Sequence, residues 1–407
     1  MPPRTSLRAF LATARAALSA PPSTRASPLT FVVGNESADL DSLCSALLLA
    51  YFHTYAPPKT WGPGLGTLHI PVCHLLRPDL ALRPEFTAVL RDADVRSEDV
   101  LTLEDILPRR RENAGLRAED TRWLLVDHNA MTGDLAAAFA SRVVGCVDHH
   151  ADEGVIPADA PLRVIEKAGS CASLVVDRCA EIWAALGAEE DAGVVDAQLA
   201  RLVLASVLVD TAGLRDGSKT TPLDERAVAL AEARVAGFDR AAVFGRLLAL
   251  KEDLGDMVLR DVLRKDFKEW RVGGRGLGLG TSSVPRGFGY LVAEKGLDGA
   301  ALDRWGAERD EAGVVDLVAV LTAFRDDGGE FRRELLVWGR SAVGVRAARR
   351  FEEGNGGVLG LGSWGDGLLD LTVDGTQWRR CWTQGAVGYS RKQIAPMLRD
   401  TLQEVGG

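Results

Sequence analysis

The residues in this chain most able to do chemistry are aspartates and histidines that recur where apolar runs stop. Asp39 and Asp41, one residue apart, lie in Phe31-Val32-Val33-Gly34-Asn35-Glu36-Ser37-Ala38-Asp39-Leu40-Asp41-Ser42. A β-branched, apolar run that breaks into a polar loop and continues as Leu43-Cys44-Ser45-Ala46-Leu47-Leu48-Leu49-Ala50 predicts strand, loop and helix. Both carboxylates then sit at the carboxyl end of the strand, where open α/β sheets place ligands. The pattern recurs. Arg122-Trp123-Leu124-Leu125-Val126 predicts a strand ending in Asp127-His128-Asn129, and Ser141-Arg142-Val143-Val144-Gly145-Cys146-Val147 another ending in Asp148-His149-His150. The Ala-rich segment 135–140 between them serves as a helical crossover, which implies parallel pairing. Asp210 ends an apolar helix predicted from Ala197 to Val209. Any one of these aspartates reads equally well as the cap of the next helix or turn. Three strand ends gathered at one sheet edge favour a site.

Asp39, Asp41, Asp127, His149 and Asp210 form an oxygen-rich set with a single imidazole, which suits Mg²⁺ or Mn²⁺ better than a structural zinc. Four carboxylates in one cleft repel unless cations compensate, so the set is expected to hold two divalent ions. Two ions about 3.5–4 Å apart activate water and clamp a phosphoryl group. Phosphate needs counter-charges, and Lys268, Arg391 and Lys392 are the candidates, with Arg379 and Arg380 extending a basic lane. The small residues Ala168-Gly169-Ser170-Cys171-Ala172-Ser173 open a helix whose free amides suit an anion or a plain N-cap.

The elements that must position these groups fall into two domains, because 407 residues exceed what one core usually supports. Residues 1–216 read as a parallel-sheet α/β domain with the metal site, 217–237 as a hinge and connecting helix, and 238–407 as a smaller α+β domain carrying the basic residues. With 46% hydrophobic and 26% charged residues there is material for two cores, and no run approaches the roughly 20 apolar residues of a bilayer span. A net charge of -9 argues against nucleic-acid binding through overall charge. Six cysteines without C-x-x-C spacing indicate neither a disulfide framework nor a zinc site, and a reducing compartment. The acid-free stretch before Glu36, with Arg4, Arg8, Arg15 and Arg25, resembles a mitochondrial transit peptide. Leu7, Phe10, Leu11 and Ala14 nevertheless fit one helix face that Pro21-Pro22 terminates, so a docked first helix and a cytoplasmic monomer are expected. His53, His69 and His74 read as structural, and the glycine-rich segment 354–367 as a flexible surface loop without a Walker sequence.

Taken in order, these motifs resemble the DHH phosphoesterase superfamily, in the branch with a second associated domain that includes exopolyphosphatases, family II inorganic pyrophosphatases and prune-like proteins. Gly34 to Ser42 resembles the first motif, Asp127-His128-Asn129 the second, Asp148-His149-His150 the third and Asp210 the fourth. Asp266-Phe267-Lys268 and Ser390-Arg391-Lys392-Gln393 resemble the phosphate-binding motifs of the second domain. The resemblance implies a DHH domain followed by a DHH-associated domain, with the active site in the cleft between them. It implies metal ligation by Asp39, Asp41, Asp127, His149 and Asp210, with Asp127 as bridge, His150 facing the phosphate and Asp148 orienting the histidines. Pyrophosphatases of the family carry a metal-binding histidine where this chain has Asn35. Gly-Asn-Glu-Ser-Ala-Asp is the form of the eukaryotic, yeast-like exopolyphosphatases, so terminal hydrolysis of inorganic polyphosphate is the expected activity. A prune-like phosphodiesterase, a short-chain polyphosphatase or pyrophosphatase, and an inactive binding protein are the rivals.

Overall fold

The computed structural model describes residues 4–56, 68–107, 116–187, 192–310, 315–373 and 375–406, in two compact units, Met1–Asp253 and Leu254–Gly407. Of Ala56-Pro57-Pro58, whose paired prolines predict a loop, both prolines lie outside the described residues. In chain order the first unit contains α1 (Leu7–Ser19), β1 (Leu29–Val33), α2 (Leu40–Tyr55), β2 (His69–Val72), α3 (Pro84–Asp92), α4 (Leu103–Ile106), β3 (Thr121–Val126), α5 (Gly133–Phe139), β4 (Val143–Asp148), β5 (Leu162–Ile165), α6 (Cys171–Leu186), α7 (Ala192–Asp210), α8 (Pro222–Glu232) and α9 (Arg240–Glu252).

Its sheet has the order β2-β1-β3-β4-β5 and every pairing is parallel. Strand alternation divides the apolar residues between two faces. Val32, Leu124, Val126 and Val147 join the core with α2, α6 and α7, whereas Phe31, Val33, Trp123, Leu125 and Cys146 pack on the other face with Leu135 and Phe139 of α5. Register then fixes the site. Val33 lies opposite Leu125 and Val126 opposite Val147, so the motif loops after β1, β3 and β4 leave the sheet at one edge. Helix α2 is buried on every side, because the sheet, α6 and α7 all pack against it.

Helix α1 buries Leu7, Phe10, Leu11, Ala14 and Leu18, the face the periodicity predicts. Arg4 pairs with the buried Asp196 and Leu7 N donates to Gln198 Oε1 at 3.1 Å. The boundary between units falls later than the sequence reading places it. Residues 217–252 pack on the first unit: Ala227, Val228 and Ala231 of α8 and Leu247 of α9 are buried in its core, with Phe238 and Phe244 against it. Residues 217–219 do form a turn, but the apolar residues of the helices after it seat them on the first unit. No described helix is long and apolar enough to cross a membrane. All six cysteines are free and buried.

The second unit contains α10 (Leu259–Lys265), β6 (Phe267–Val272), β7 (Leu277–Val284), α11 (Phe288–Lys295), α12 (Gly299–Asp310), β8 (Leu317–Thr322), β9 (Phe324–Arg325), β10 (Phe331–Arg332), β11 (Glu334–Gly339), α13 (Ala342–Leu359), β12 (Leu361–Ser363), β13 (Leu371–Val373), β14 (Gln377–Gln384) and α14 (Arg391–Gly406). Its main sheet runs β12-β14-β11-β8-β7-β6, with β13 also on β14; β7 and β8 pair parallel and the other pairings are antiparallel. One face packs on Leu263, Phe288, Leu291 and Leu302, the other on Phe351, Ile394, Leu398 and Leu402. The glycine-rich segment is not a loop throughout. Helix α13 continues through Gly354-Asn355-Gly356-Gly357 and ends at Gly360 in the left-handed region, φ 61°, because Phe351 and Leu359 anchor it on the sheet.

Candidate metal centre

Asp127 stands just past β3 with its own φ at 63°, a left-handed conformation that aspartate tolerates better than most residues. Its amide donates to Val147 O at 3.0 Å, which turns the carboxylate over the sheet edge. Oδ1 lies 3.1 Å from His149 Nε2 and 3.7 Å from His150 Nδ1. Oδ2 accepts from Asn35 Nδ2 and from Ser42 Oγ, both at 2.7 Å. Burial, then the charges of Asp41 and Asp39, raise its pKa to about 7.

His149 is oriented at both ring nitrogens. Nδ1 lies 2.9 Å from Ala168 O, a carbonyl that only accepts, so Nδ1 carries the hydrogen and Nε2 faces Asp127 and, at 3.7 Å, Asp41 Oδ2. Burial opposes its protonation, but the hydrogen bond to Asp127 and the charges of Asp41 and Asp127 raise its pKa to about 10. His150 is half-exposed. Its Nδ1 lies 2.8 Å from Asp148 Oδ1, and Asp148, wholly buried, accepts from Asn129 Nδ2 at 2.6 Å. Burial pushes the Asp148 carboxyl up, but the hydrogen bond and charge of His150 and the Asn129 amide hold it below the ordinary carboxylate range. Candidate ligand atoms of Asp127, His149 and His150 lie within 4.8 Å of one another.

The other three carboxylates converge from helix ends. Asp39 caps α2, Oδ1 accepting from Ser42 N at 3.1 Å. Asp41, one residue into the helix, reaches the head of α6: Oδ1 accepts from Ser170 Oγ, Ser206 Oγ and Ala172 N at 2.8–2.9 Å, and Oδ2 from Cys171 N at 2.6 Å. The amides at this helix start, open to an anion in the sequence reading, are therefore taken by carboxylates of the chain itself. Asp210 ends α7 with a buried Oδ2 that has no hydrogen-bond partner. Burial, then Asp41 and Asp39, raise its pKa well above the ordinary value.

An orphaned buried carboxylate oxygen among carboxylates that raise one another's pKa fits a missing positive charge. The donors are oxygen and imidazole nitrogen. Burial and the charge of Asp41 raise the thiols of Cys44 and Cys171 well above their ordinary value, and Cys171 Sγ donates to Val147 O at 3.1 Å, so neither offers a thiolate. The set suits a hard divalent cation. Asn35 is not a ligand here. The side-chain atom 2.9 Å from Ser37 N and 3.2 Å from Ala38 N must be its oxygen, which leaves the NH₂ facing Asp127 as a donor.

Among the basic residues read as phosphate ligands, Arg379 is misplaced. It is 2% exposed, Nε donates to Leu369 O at 2.8 Å, Nη1 pairs with Asp303 at 3.0 Å, and the guanidinium lies 5.1 Å from the Trp338 ring. It is a core residue of the second unit. Arg380, its neighbour on β14, projects from the opposite face and donates to Leu371 O and Thr372 Oγ1, so the pair forms no common lane. Arg391 donates to Asp266 O and Oδ1, both at 2.9 Å, and Lys392 is exposed beside it. Phe267 and Trp270 pack on opposite faces of the sheet, so alternation along β6 puts Lys268 on the face that α14 covers.

The sequence reading omitted Ser206, which donates to Asp41, and Asp224, which accepts from the amides of Gly169 and Ser170, and it gave Ser170 only as part of a helix start and not as a donor to Asp41. Only Asp224 had a local signal, the spacing Thr221-x-x-Asp224 of a capping box.

Residues 30–207 match the DHH family, N-terminal domain, and residues 245–401 the DHHA2 domain. A Schizosaccharomyces pombe protein named "Putative exopolyphosphatase" is 30% identical over 99% of this chain and 97% of its own length. "Exopolyphosphatase PRUNE1" of Bos taurus is 28% identical over 92% of this chain and 76% of its own. A manganese-dependent inorganic pyrophosphatase of Methanocaldococcus jannaschii is 26% identical over 63% of this chain and 72% of its own. In fold, the chain resembles the crystal structure of a Methanococcus jannaschii "putative family II inorganic pyrophosphatase", with a TM-score of 0.52 and 19% identity over 92% of this chain and 99% of that one.

Proposed function

Because the chain belongs to the DHH family, with a DHHA2 domain after its DHH domain, we propose that it is an exopolyphosphatase that removes terminal phosphate from linear inorganic polyphosphate. Hydrolysis of phosphoanhydride bonds is the activity that the names of relatives of both kinds share. The observation that carries it at the site is the convergence of Asp127, His149 and His150 beside Asp41.

Asp39, Asp41, Asp127, His149 and Asp210 would hold two divalent ions, Mn²⁺ or Mg²⁺. When bound, these supply a water acidic enough to be hydroxide near neutral pH and neutralise charge on the phosphoryl oxygens. The remaining work belongs to the chain. His149 Nε2 and Asp41 Oδ2 lie beside Asp127; His149 Nδ1 is tied to Ala168 O, Asp41 Oδ1 to Ser170 Oγ and Ala172 N, and Asp41 Oδ2 also accepts from Cys171 N. Asp148 holds His150 at Nδ1, so that in the imidazolium form Nε2–H would donate to a phosphoryl oxygen or pass its proton to the leaving phosphate. Lys268, Arg391 and Lys392 are assigned to the phosphates beyond the scissile bond. Two cations in the first turn of α14 oppose the helix dipole, a placement that favours binding over stability. Arg379 is left out of this set.

Exopolyphosphatase is preferred to pyrophosphatase because the full-length S. pombe relative bears that name and because Asn35 directs a donor at Asp127 where an imidazole would offer a lone pair. The test is phosphate release from long-chain polyphosphate, tripolyphosphate and pyrophosphate with Mn²⁺ or Mg²⁺, in the wild type and Asp127→Ala. Metal-dependent release from long chains, lost in the variant by a factor on the order of 10³ or more, is expected. Release from pyrophosphate alone assigns the chain to the other branch, and release from none leaves a binding protein.

A further inference from the structure

We infer that Asp224, which touches none of the candidate ligands, is a positioning residue that sets the geometry of the metal centre through residues 168–172. The inference rests on the reading of that centre as the site of a metal-dependent hydrolase.

Asp224 is fully buried and has five donors. Oδ2 accepts from Gly169 N at 2.9 Å and from Thr221 N and Oγ1 at 2.7 Å. Oδ1 accepts from Ser170 N at 3.2 Å and Ser173 Oγ at 2.6 Å. None is a lysine or arginine, so these bonds stabilise the charge through dipoles at the starts of two helices, α6 and α8. A capping box on α8 uses only the Thr221 bonds. The other three reach across to the start of α6.

That start is where the metal candidates are held. Ala168 O accepts from His149 Nδ1, the next two amides go to Asp224, and Ser170 Oγ and the amides of Cys171 and Ala172 go to Asp41. Five consecutive residues are thus shared between the clamp and two candidate ligands, and Ser170 bonds both Asp224 and Asp41. A third link is steric. A Cβ on Gly169 would come within 2.6 Å of Thr211 Cγ2, 2.9 Å of Asp224 Oδ2 and 3.0 Å of Lys219 O, and Thr211 follows Asp210. One buried carboxylate therefore ties the supports of His149 and Asp41 to a single helix start, and Gly169 of that start packs closely against Thr211.

A residue that only caps a helix would cost stability and leave metal affinity alone. Asp224→Asn keeps the volume but turns an NH₂ toward N–H donors, and is expected to weaken Mn²⁺ binding by about 10–100-fold in calorimetric titration of the folded protein. KM for tripolyphosphate at saturating Mn²⁺ should stay near the wild-type value. Leu11→Ala, a truncation in α1, should lower Tm with Mn²⁺ affinity unchanged. If Asp224→Asn does not fold, Gly169→Ala decides, since it displaces the same segment with the carboxylate in place and should weaken Mn²⁺ likewise. Mn²⁺ affinity within about twofold of wild type in the folded variants overturns the positioning role and leaves the hydrolase reading intact. A wild-type protein that takes up no Mn²⁺ in the same titration overturns both.

Discussion

One amide separates two versions of the first motif. With its oxygen held by Ser37 N and Ala38 N, Asn35 gives Asp127 a hydrogen bond and has no lone pair left for a cation. Gly34, just before it, is there for space: a Cβ would stand 2.4 Å from Ser42 Cβ, and Ser42 Oγ both donates to Asp127 and accepts from Asn35 N. Gly34→Ala should cost about 1–3 kcal/mol in thermal melts, with a parallel loss of Mn²⁺ affinity. A melt and a titration both unchanged would show that the loop relaxes freely. The ligand-type residues were legible in the sequence because aspartates after apolar runs are local signals. The capping-box spacing of Asp224 is local as well, but its reach to α6 was not legible, since three of its donors lie more than fifty residues away in the chain. Arg379 was misread as a phosphate ligand because charge was weighed without strand alternation.

At the scale of elements, α2 and β2 bury imidazoles that the proposed mechanism does not use. The rings of His53 and His69 lie 5.4 Å apart, edge to face. Burial, then the neighbouring His69, lower the pKa of His53 to about 3, and burial, then His128, lower that of His74 to about 4. Below the ordinary histidine value the unfolded chain takes up protons that the folded chain refuses. Stability is therefore complete above about pH 6.5 and declines as pH falls toward the folded values. For His53 the loss is about 3 kcal/mol by pH 4. Chelator-treated His53→Leu should show a shallower fall of Tm between pH 6.5 and 4 than wild type, whatever its Tm at pH 7; parallel profiles would remove His53 as the cause. The strands were legible from β-branched runs, and α1 from its 3.6-residue spacing. The extent of α13 was not, because its glycines face outward and only Phe351 and Leu359, placed by the sheet, keep the segment helical.

At the scale of the molecule, the proposed polyphosphate substrate would meet an acidic chain with net charge -9, so its binding would have to come from local charge. Replacing Arg391 and Lys392 together with Ala should raise KM for long-chain polyphosphate about tenfold and flatten its dependence on salt, since fewer counterions are released. Mn²⁺ affinity should not move, and an unchanged KM would send the search for the chain-binding surface elsewhere. The unit boundary at Asp253 was illegible because the apolar residues of α9 suit a helix of either domain, and only the tertiary contacts of Leu247, Val243, Phe244 and Leu250 assign it to the first core. The six buried cysteines bear on how inactivation is to be interpreted. Burial raises the thiols of Cys73 and Cys179 to about 12 and of Cys146 to about 11, and pushes those of Cys44, Cys171 and Cys381 up as well. A protein with its sulfur protonated and out of reach gives alkylating reagents and mild oxidants little to attack. Damage by peroxide that abolishes hydrolysis would then be sought at the metal site before the thiols, and a colourimetric thiol count on the native protein should stay near zero until it unfolds.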